Sequence, residues 1–200
     1  MSDEHALVVA LKQRDPAALA EVFAAYSDKI YRLAVSLLHD EQTADGVVQD
    51  TFLSLIEHIH TFEERASLAT WLYRVAYNHA QTRLRRQRPQ VDVEELDGDD
   101  IALPEKLIDW NTVPERLLTG EEAMSQIMAA IGTLSPSLRA VFILRDVEEL
   151  STEATAEALG IQPGAVKVRL HRARLALREQ LAGYFEDQTA FQNTTEPRGH

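Results

Sequence analysis

Aromatic and hydrogen-bonding side chains alternate at helical spacing between residues 71 and 85. The hydrogen-bonding residues recur at intervals of four, three and four, on one stripe of a helix: Arg74, Asn78, Gln81 and Arg85. Trp71, Tyr73 and Tyr77 lie beside this stripe. Aromatic rings stack on unstacked bases, at about 1–3 kcal/mol per base, and Asn or Gln can pair with an adenine edge. The pattern indicates contact with unpaired nucleic acid. The other interpretation is a solvated stripe beside core aromatics: a core position is favoured for Trp71, and both remain open for Tyr73 and Tyr77.

A basic helix near the carboxyl end suggests contact with duplex DNA. Five basic residues, with no acid among them, fall within twelve positions: Lys167, Arg169, Arg172, Arg174 and Arg178. An apolar stripe runs along the same stretch: Val166, Leu170, Ala173, Leu177 and Leu181. A short helix from Ser151, closed by Gly160, precedes it, with a turn at residues 161–164. This order predicts a helix-turn-helix, whose second helix enters the major groove while its arginines neutralise phosphates. The alternative is a solvated basic helix in an ordinary bundle.

Helical periodicity extends over most of the chain and predicts an all-α fold of two small helical domains joined by an acidic flexible linker. The predicted helices span about residues 16–38, 43–60, 68–86, 115–133, 136–146, 151–159 and 163–181. Ser67 is predicted to cap the third helix. The domain boundaries are 1–15 (amino-terminal segment), 16–88, 89–116 (linker), 117–182 and 183–200, a polar tail expected to fray.

Two apolar sets are expected to face inward. On the first helix they are Leu19, Val22, Phe23, Tyr26, Ile30, Leu33, Ala34 and Leu37. On the second they are Val47, Val48, Phe52, Leu55, Ile56 and Ile59. Both sets follow the three-and-four spacing of a helix that buries one face.

The charge distribution sets the linker apart from the two basic patches. The 200-residue chain carries −12, from 32 acids and 20 Lys and Arg, which alone would argue against a polyanionic partner. Residues 91–115, however, hold nine acids and one base, a charge of −8, whereas four arginines cluster within residues 83–88. The acidic strip between two basic patches keeps nucleic acid as the expected partner.

Other classes of protein are disfavoured by what the sequence lacks. It has no cysteine, which removes disulfides and thiolate sites, and its apolar stretch at residues 6–11 is too short for a signal peptide. No segment approaches the roughly 20 apolar residues of a membrane span, so we expect no membrane insertion and a cytoplasmic location. Glu57, His58 and His60 could suggest a metal enzyme, but residues two apart on a helix point about 200° apart. We expect no catalytic residues, metal or cofactor.

Four segments together resemble the bacterial sigma-70 family of RNA polymerase sigma factors, in its extracytoplasmic-function (ECF) subgroup. They are residues 44–52 (ADGVVQDTF), 70–78 (TWLYRVAYN), 134–148 and 150–174. The resemblance covers about residues 16–88, similar to region 2, and 117–181, similar to region 4. It implies a non-catalytic initiation factor that binds core RNA polymerase and promoter DNA, with an anti-sigma factor as inhibitor.

The resemblance also implies roles for individual residues. The beta-prime clamp helices of core polymerase would contact Asp45, Val48, Gln49, Asp50 and Phe52, and the beta flap is a further polymerase contact. The minus-10 element would be bound and melted by Leu68, Thr70, Arg74, Tyr77, Asn78, Gln81 and Arg85. The minus-35 element would be read by Ala165, Lys167, Val168, Arg169, His171, Arg172 and Arg174. The linker would thread into the polymerase near the RNA exit path.

Three residues depart from the family pattern. Gly46 stands where an acid is usual, which removes a possible clamp contact and costs about 1 kcal/mol of helix stability. Val168 stands where a small polar residue is common, and Ala165 stands where Thr is common. The apolar Val168 side chain could contact a thymine methyl group instead of donating a hydrogen bond to a base. The alternative function is a helix-turn-helix regulator that acts without core polymerase. This alternative does not explain the pattern of residues 71–78 or the acidic linker.

Overall fold

The fold is helical throughout the part of the chain that can be described. The computed structural model describes the backbone of residues 2–87 and 121–195 and the side chains of residues 4–86 and 126–181. Within these ranges it has eight α-helices and no strand. The all-α prediction is confirmed, whereas the acidic linker and residues 196–200 lie outside the described residues.

The amino-terminal half contains four α-helices. They are α1 (Ser2–Lys12), α2 (Pro16–Leu38), α3 (Glu41–His58) and α4 (Leu68–Gln87), with a 3₁₀ turn at Ile59–Thr61. Asp15 caps α2 by accepting from the backbone N–H of Ala17 (2.9 Å), and Pro16 occupies its first turn. Asp40 caps α3 in the same way through Thr43 (2.6 Å). Helices α2, α3 and α4 pack on one another around a common apolar core.

The carboxyl-terminal half also contains four α-helices. They are α5 (Glu121–Thr133), α6 (Pro136–Phe142), α7 (Thr152–Leu159) and α8 (Pro163–Thr195), and a π-helical turn at Ile143–Val147 follows α6. Ser151 caps α7 through the N–H of Ala154 (3.0 Å), and Gly160 ends it with φ of +67°, which glycine adopts without a Cβ clash. All five residues of the predicted apolar stripe on α8 are buried: Val166, Leu170, Ala173, Leu177 and Leu181.

The first helix, α1, was absent from the predicted elements. Its Val8 and Leu11 are buried in the core, and the Glu4 carboxylate accepts a hydrogen bond from the backbone N–H of Leu68 (2.6 Å). Ser67 accepts from the N–H of Thr70 (3.1 Å), as its predicted capping role requires. Side chains from α1 and from the residue just before α4 therefore both accept hydrogen bonds from backbone N–H groups in the first turn of α4.

Three predictions about helix extent and burial are wrong. The backbone of residues 183–195 is helical rather than frayed, because α8 contains no proline after its first residue to interrupt it. Phe23 and Ile56 were expected to face inward but are 50% and 43% exposed. Both lie on helices whose other apolar residues are buried, and the Phe23 ring still contacts that of Phe52 on α3.

Candidate nucleic-acid interface

Helix α4 presents three of the predicted nucleic-acid contacts to solvent. Arg74, Asn78 and Arg85 are exposed and, by their spacing, lie along one side of the helix. Two donor-rich guanidinium groups and one amide along this side can bind phosphates and the edges of bases. This part of the predicted stripe is available to a ligand as the structure stands.

The other predicted contacts on α4 are buried. Tyr77 and Gln81 are 8% and 9% exposed, and the Gln81 amide donates to the Tyr77 hydroxyl (2.6 Å). Burial raises the pKa of Tyr77, because the phenolate would lose its hydration. Leu68 and Thr70 are also buried, at 2% and 3% exposed, so neither presents its side chain to solvent.

The aromatic residues beside the stripe belong to packed regions. Tyr73 is 1% exposed, and Trp71 is half-buried with its ring 6.0 Å from that of Phe62. The core interpretation therefore holds for Tyr73 and Tyr77 in this structure, and Trp71 packs against the core at its edge.

Helices α7 and α8 have the connectivity and the tight turn of a helix-turn-helix. Lys167 is exposed, and four further predicted contacts are half-buried: Ala165, Val168, His171 and Arg172. Arg169 is 8% exposed. Arg174 binds both carboxylate oxygens of Asp146 (2.7 and 2.8 Å), so its role in this structure is to tie α8 to the end of the π turn.

The predicted polymerase-binding residues on α3 fall into two groups. Asp45 and Gln49 are exposed, and Val48 is half-buried. Asp50 pairs with Arg83 of α4 (2.5 Å), whereas Phe52 is 6% exposed and packs on the ring of Phe23, at 4.8 Å between centroids. The outer surface of α3 therefore offers Asp45, Val48 and Gln49, while Asp50 and Phe52 join α3 to its neighbours.

An exposed apolar patch next to this surface was not predicted from the sequence. It consists of Phe23, Leu53 and Ile56, which are 50%, 55% and 43% exposed. One signal for it was present in the sequence: with Phe23 and Ile56 included, the apolar stripes of α2 and α3 are wider than the face that a helix usually buries against its neighbours. Apolar side chains grouped in this way are typical of a protein-binding surface.

Comparisons with known proteins bear on both halves. The family model for Sigma-70 region 2 matches residues 22–90, and that for Sigma-70, region 4 matches residues 124–177. The ECF RNA polymerase sigma factor SigW of Bacillus subtilis is 32% identical over 173 residues, covering 86% of this chain and 92% of SigW. The chain belongs to the ECF subgroup of RNA polymerase sigma factors.

Further relatives agree in sequence and in fold. The RNA polymerase sigma-H factor of Pseudomonas aeruginosa is 32% identical and covers 88% of this sigma factor and 92% of its own length. CnrH, solved in complex with the cytosolic domain of CnrY, has a TM-score of 0.65 at 22% identity, covering 90% of this chain and 97% of its own. RpoE from Bartonella quintana, solved with the anti-sigma factor NepR, has a TM-score of 0.62 at 24% identity, covering 82% and 96%.

The function follows at the level of the family. The sigma factor directs promoter-specific initiation by RNA polymerase, and a helix-turn-helix regulator acting without core polymerase is not favoured, because region 2 matches as well as region 4. Within the described ranges no helix is long and apolar enough to cross a membrane, and no three His, Asp or Glu side chains group as metal ligands. Glu57, His58 and His60 are all exposed near the end of α3.

The two halves of the sigma factor contact each other directly. Helix α7 packs against α4, and α6 packs against α2. Glu148, just after the π turn, has a side chain only 2% exposed, and its carboxylate accepts from Arg32 of α2 (2.8 and 3.0 Å) and from the Tyr73 hydroxyl (2.9 Å). Burial and the neighbouring Glu148 carboxylate raise the pKa of Tyr73. Sequence reasoning assigned Glu148 no role, because its partners lie 75 and 116 residues away.

Proposed function

We propose that α4 of this sigma factor captures and melts the minus-10 element. The observation that carries the proposal is the exposed row of Arg74, Asn78 and Arg85 on a rigid helix. The two arginines neutralise phosphates, and the Asn78 amide recognises an unpaired base. Tyr77 and Gln81 join this surface as stacking and hydrogen-bonding groups when they are uncovered, whereas Leu68 and Thr70 hold the amino end of α4 in place.

The minus-35 element is read by the helix-turn-helix of α7 and α8. Lys167 and Arg172 contact phosphates at the groove, and Val168 packs on a thymine methyl group, which an apolar side chain can recognise. Ala165 and His171 lie close enough along α8 to face the same groove. Arg174 supports the helix through Asp146 rather than by touching DNA.

Core RNA polymerase binds the outer surface of α3. Asp45 and Gln49 supply polar contacts, and the apolar patch of Phe23, Leu53 and Ile56 supplies the buried area that a stable interface needs. The beta-prime clamp helices are the partner on this surface, and the beta flap receives the carboxyl-terminal half. Phe52 and Asp50 support the surface from within the fold, and the acidic linker (89–116) threads toward the RNA exit path.

An anti-sigma factor holds the protein inactive in the unstressed cell. Support comes from the fold neighbour RpoE, which was solved with the anti-sigma factor NepR, and from the exposed apolar patch on α3. A pull-down from unstressed cells with the full chain as bait is expected to recover one inhibitor. Phe23→Ser should weaken its capture, and recovery of no inhibitor would remove this part of the proposal.

The protein acts in the cytoplasm, where its polymerase and template are, without catalysing a reaction and without a metal or cofactor. Its only chemical contribution is binding energy, which positions DNA at the polymerase and stabilises unpaired bases.

The decisive experiment is transcription in vitro with purified core polymerase over fragmented host genomic DNA, with and without the protein. Discrete transcripts that depend on it are expected, and they identify its promoters. Permanganate footprinting on one such promoter then tests α4: Asn78→Ala should lose reactivity in the melted region. The matched control is Gln13→Ala, an exposed amide outside α4. Normal reactivity in the Asn78 variant would show that α4 does not melt DNA.

A further inference from the structure

The α3–α4 loop, residues 62–67, contains a residue in a backbone conformation that residues other than glycine rarely adopt. Glu64 has a φ of +57°, in the left-handed region where the Cβ atom is crowded by the backbone. Such a conformation persists only where surrounding contacts hold it, and it is found most often in segments that bind a ligand. The contacts that hold Glu64 come from α1.

Two basic side chains of α1 bind the Glu64 carboxylate, one at each oxygen. His5 Nδ1 lies 2.7 Å from Oε2, and Lys12 Nζ lies 3.7 Å from Oε1. The hydrogen bond from His5 is the main cause that lowers the pKa of Glu64 below its ordinary value. The carboxylate is therefore charged at neutral pH, and α1 holds it through both oxygens.

Helix α1 also contacts the residues at the two ends of this loop. Lys12 Nζ donates to the Phe62 carbonyl (2.8 Å), and the Glu4 carboxylate accepts from the backbone N–H of Leu68 (2.6 Å). Phe62 is 6% exposed, and its ring lies 6.0 Å from that of Trp71 on α4. The loop is thus held by α1 at its first residue, at its centre and at the first residue of α4.

The exposed side chains of the loop lie next to the surface that we have placed at the DNA. Glu63 and Arg65 have side chains 65% and 84% exposed, and they pair with each other at 2.7 Å. Arg74 lies six residues after the start of α4 at Leu68, which is about 9 Å of helix rise. A DNA strand with about 3.4 Å per nucleotide spans that length in on the order of three nucleotides. The loop is therefore within reach of a strand that contacts Arg74.

We infer that α1 is a positioning element for promoter recognition: through Glu4, His5 and Lys12 it fixes the α3–α4 loop and the amino end of α4. His5 and Lys12 act through Glu64 rather than by touching DNA. A loop that is already fixed loses less conformational freedom on binding, and it favours one arrangement of the bound bases over others. The inference rests on the minus-10 role proposed above for α4, whereas the contacts of α1 with the loop rest on geometry alone.

The first test measures order in the loop of the free, full-length protein. Nuclear magnetic resonance relaxation of ¹⁵N gives backbone order parameters, which are about 0.85 in rigid backbone and below about 0.6 in flexible backbone. Residues 62–67 of the wild type should lie near the rigid value. Glu64→Gln removes the charge that His5 and Lys12 bind, and it should bring the centre of the loop to the flexible value. The matched control is Glu63→Gln, whose carboxylate pairs with Arg65 inside the loop and which should stay near the wild-type value.

Two changes at His5 separate its hydrogen bond from the other effects of substitution. His5→Ala removes the donor and should loosen the loop, by less than Glu64→Gln does because Lys12 remains. His5→Asn keeps an N–H donor close to the position of Nδ1 and should retain wild-type order. The double variant of His5→Ala and Glu64→Gln should match Glu64→Gln alone, because the two residues act as a pair.

The second test measures how well the protein distinguishes minus-10 sequences. On a promoter found in the transcription experiment above, permanganate reactivity is compared between the natural minus-10 element and elements with one base changed. Glu64→Gln should lower the ratio of natural to altered element by about threefold at one end of the element, and His5→Asn should keep the wild-type ratio. General destabilisation would instead lower opening on every element by the same factor and leave the ratio unchanged.

The outcomes separate the positioning role of α1 from the role of α4. A loop that stays rigid in both Glu64→Gln and His5→Ala would overturn the inference, and so would a loosened loop with unchanged ratios. Circular dichroism reports whether Glu64→Gln remains folded, and if it does not, His5→Ala compared with His5→Asn decides the question. Normal opening by Asn78→Ala would refute the minus-10 role of α4, and with it the promoter role of α1, while the measured order of the loop would stand.

Discussion

Replacing Gly46 by alanine tests how tightly α3 and α4 are joined. Gly46 lies within α3 in ordinary helical conformation, where glycine is less favourable than alanine by about 1 kcal/mol. A Cβ built there would lie 3.4 Å from Arg83 Nη2, 3.9 Å from its Nε and 4.0 Å from its Cζ. All three are atoms of a flexible side chain, and none of these distances is a severe clash.

The gain in helix propensity should therefore exceed the steric cost. We expect Gly46→Ala to raise the free energy of unfolding by about 0.5–1 kcal/mol. For a chain of this size, each kcal/mol of added stability raises the Tm by about 2–4 °C. The assay is urea unfolding followed by circular dichroism, with the slope checked for equality between variants.

Arg83 provides the control, because it is both the nearest neighbour of the new methyl group and the partner of Asp50 (2.5 Å). In an Arg83→Ala background, Gly46→Ala should give its full propensity gain. The difference between the two backgrounds measures what the methyl group costs the ion pair. A net loss of stability in the wild-type background would refute the reasoning and show that glycine is required for this pair.

Three further changes test other parts of the structure. Phe52→Ala should cost about 3 kcal/mol in urea unfolding, because the ring is buried on its neighbour, whereas the exposed Leu53→Ala should change stability by less than about 0.5 kcal/mol. Folding raises the pKa of Tyr73 above its ordinary value of 10, because burial disfavours the phenolate. The contribution of Tyr73 to the free energy of unfolding is therefore complete below pH 10 and is lost as the pH rises above 10. Tyr73→Phe should reduce that alkaline loss by up to about 1.4 kcal/mol per pH unit. Lys167→Gln should weaken promoter binding and lower the slope of log affinity against log salt by about 1.

Contrary results would be equally specific. Equal stabilities for the Phe52 and Leu53 variants would mean that the ring is not part of the core. If Tyr73→Phe lost stability at alkaline pH as wild type does, burial and the Glu148 carboxylate would not be raising the pKa of Tyr73 in the folded protein. An unchanged salt slope for Lys167→Gln would remove this lysine from the phosphate contacts.

The elements that local sequence patterns determine were largely predictable. The capping residues Asp15 and Ser151 begin helices, Gly160 ends one, and the apolar stripe of α8 is buried as its spacing required. Helix α1 was missed because its importance comes from a distant contact, the hydrogen bond that the backbone N–H of Leu68 on α4 donates to the Glu4 carboxylate. No pattern within residues 2–12 contains that information.

The candidate site was predictable only where each residue acts from its own helix. Arg74, Asn78 and Arg85 are exposed as their stripe indicated. Gln81 and Arg169 have the same polar character, yet they are only 9% and 8% exposed, because burial depends on tertiary packing that spacing along one helix does not record. Likewise, the Asp50–Arg83 pair joins residues 33 positions apart, and sequence spacing cannot show which of several nearby charges will meet.

The direction in which Glu148 points depends on the number of residues in the π turn at Ile143–Val147. A π turn holds more residues per turn than an α-helix, and removing one residue would restore α-helical geometry and rotate the residues after the turn by about 100°. Glu148 would then point away from Arg32 and Tyr73 with its chemistry unchanged. Deletion of a single residue from this turn would thus break the contacts of Glu148 with Arg32 and Tyr73 while the packing of α6 on α2, which lies before the turn, stays in place.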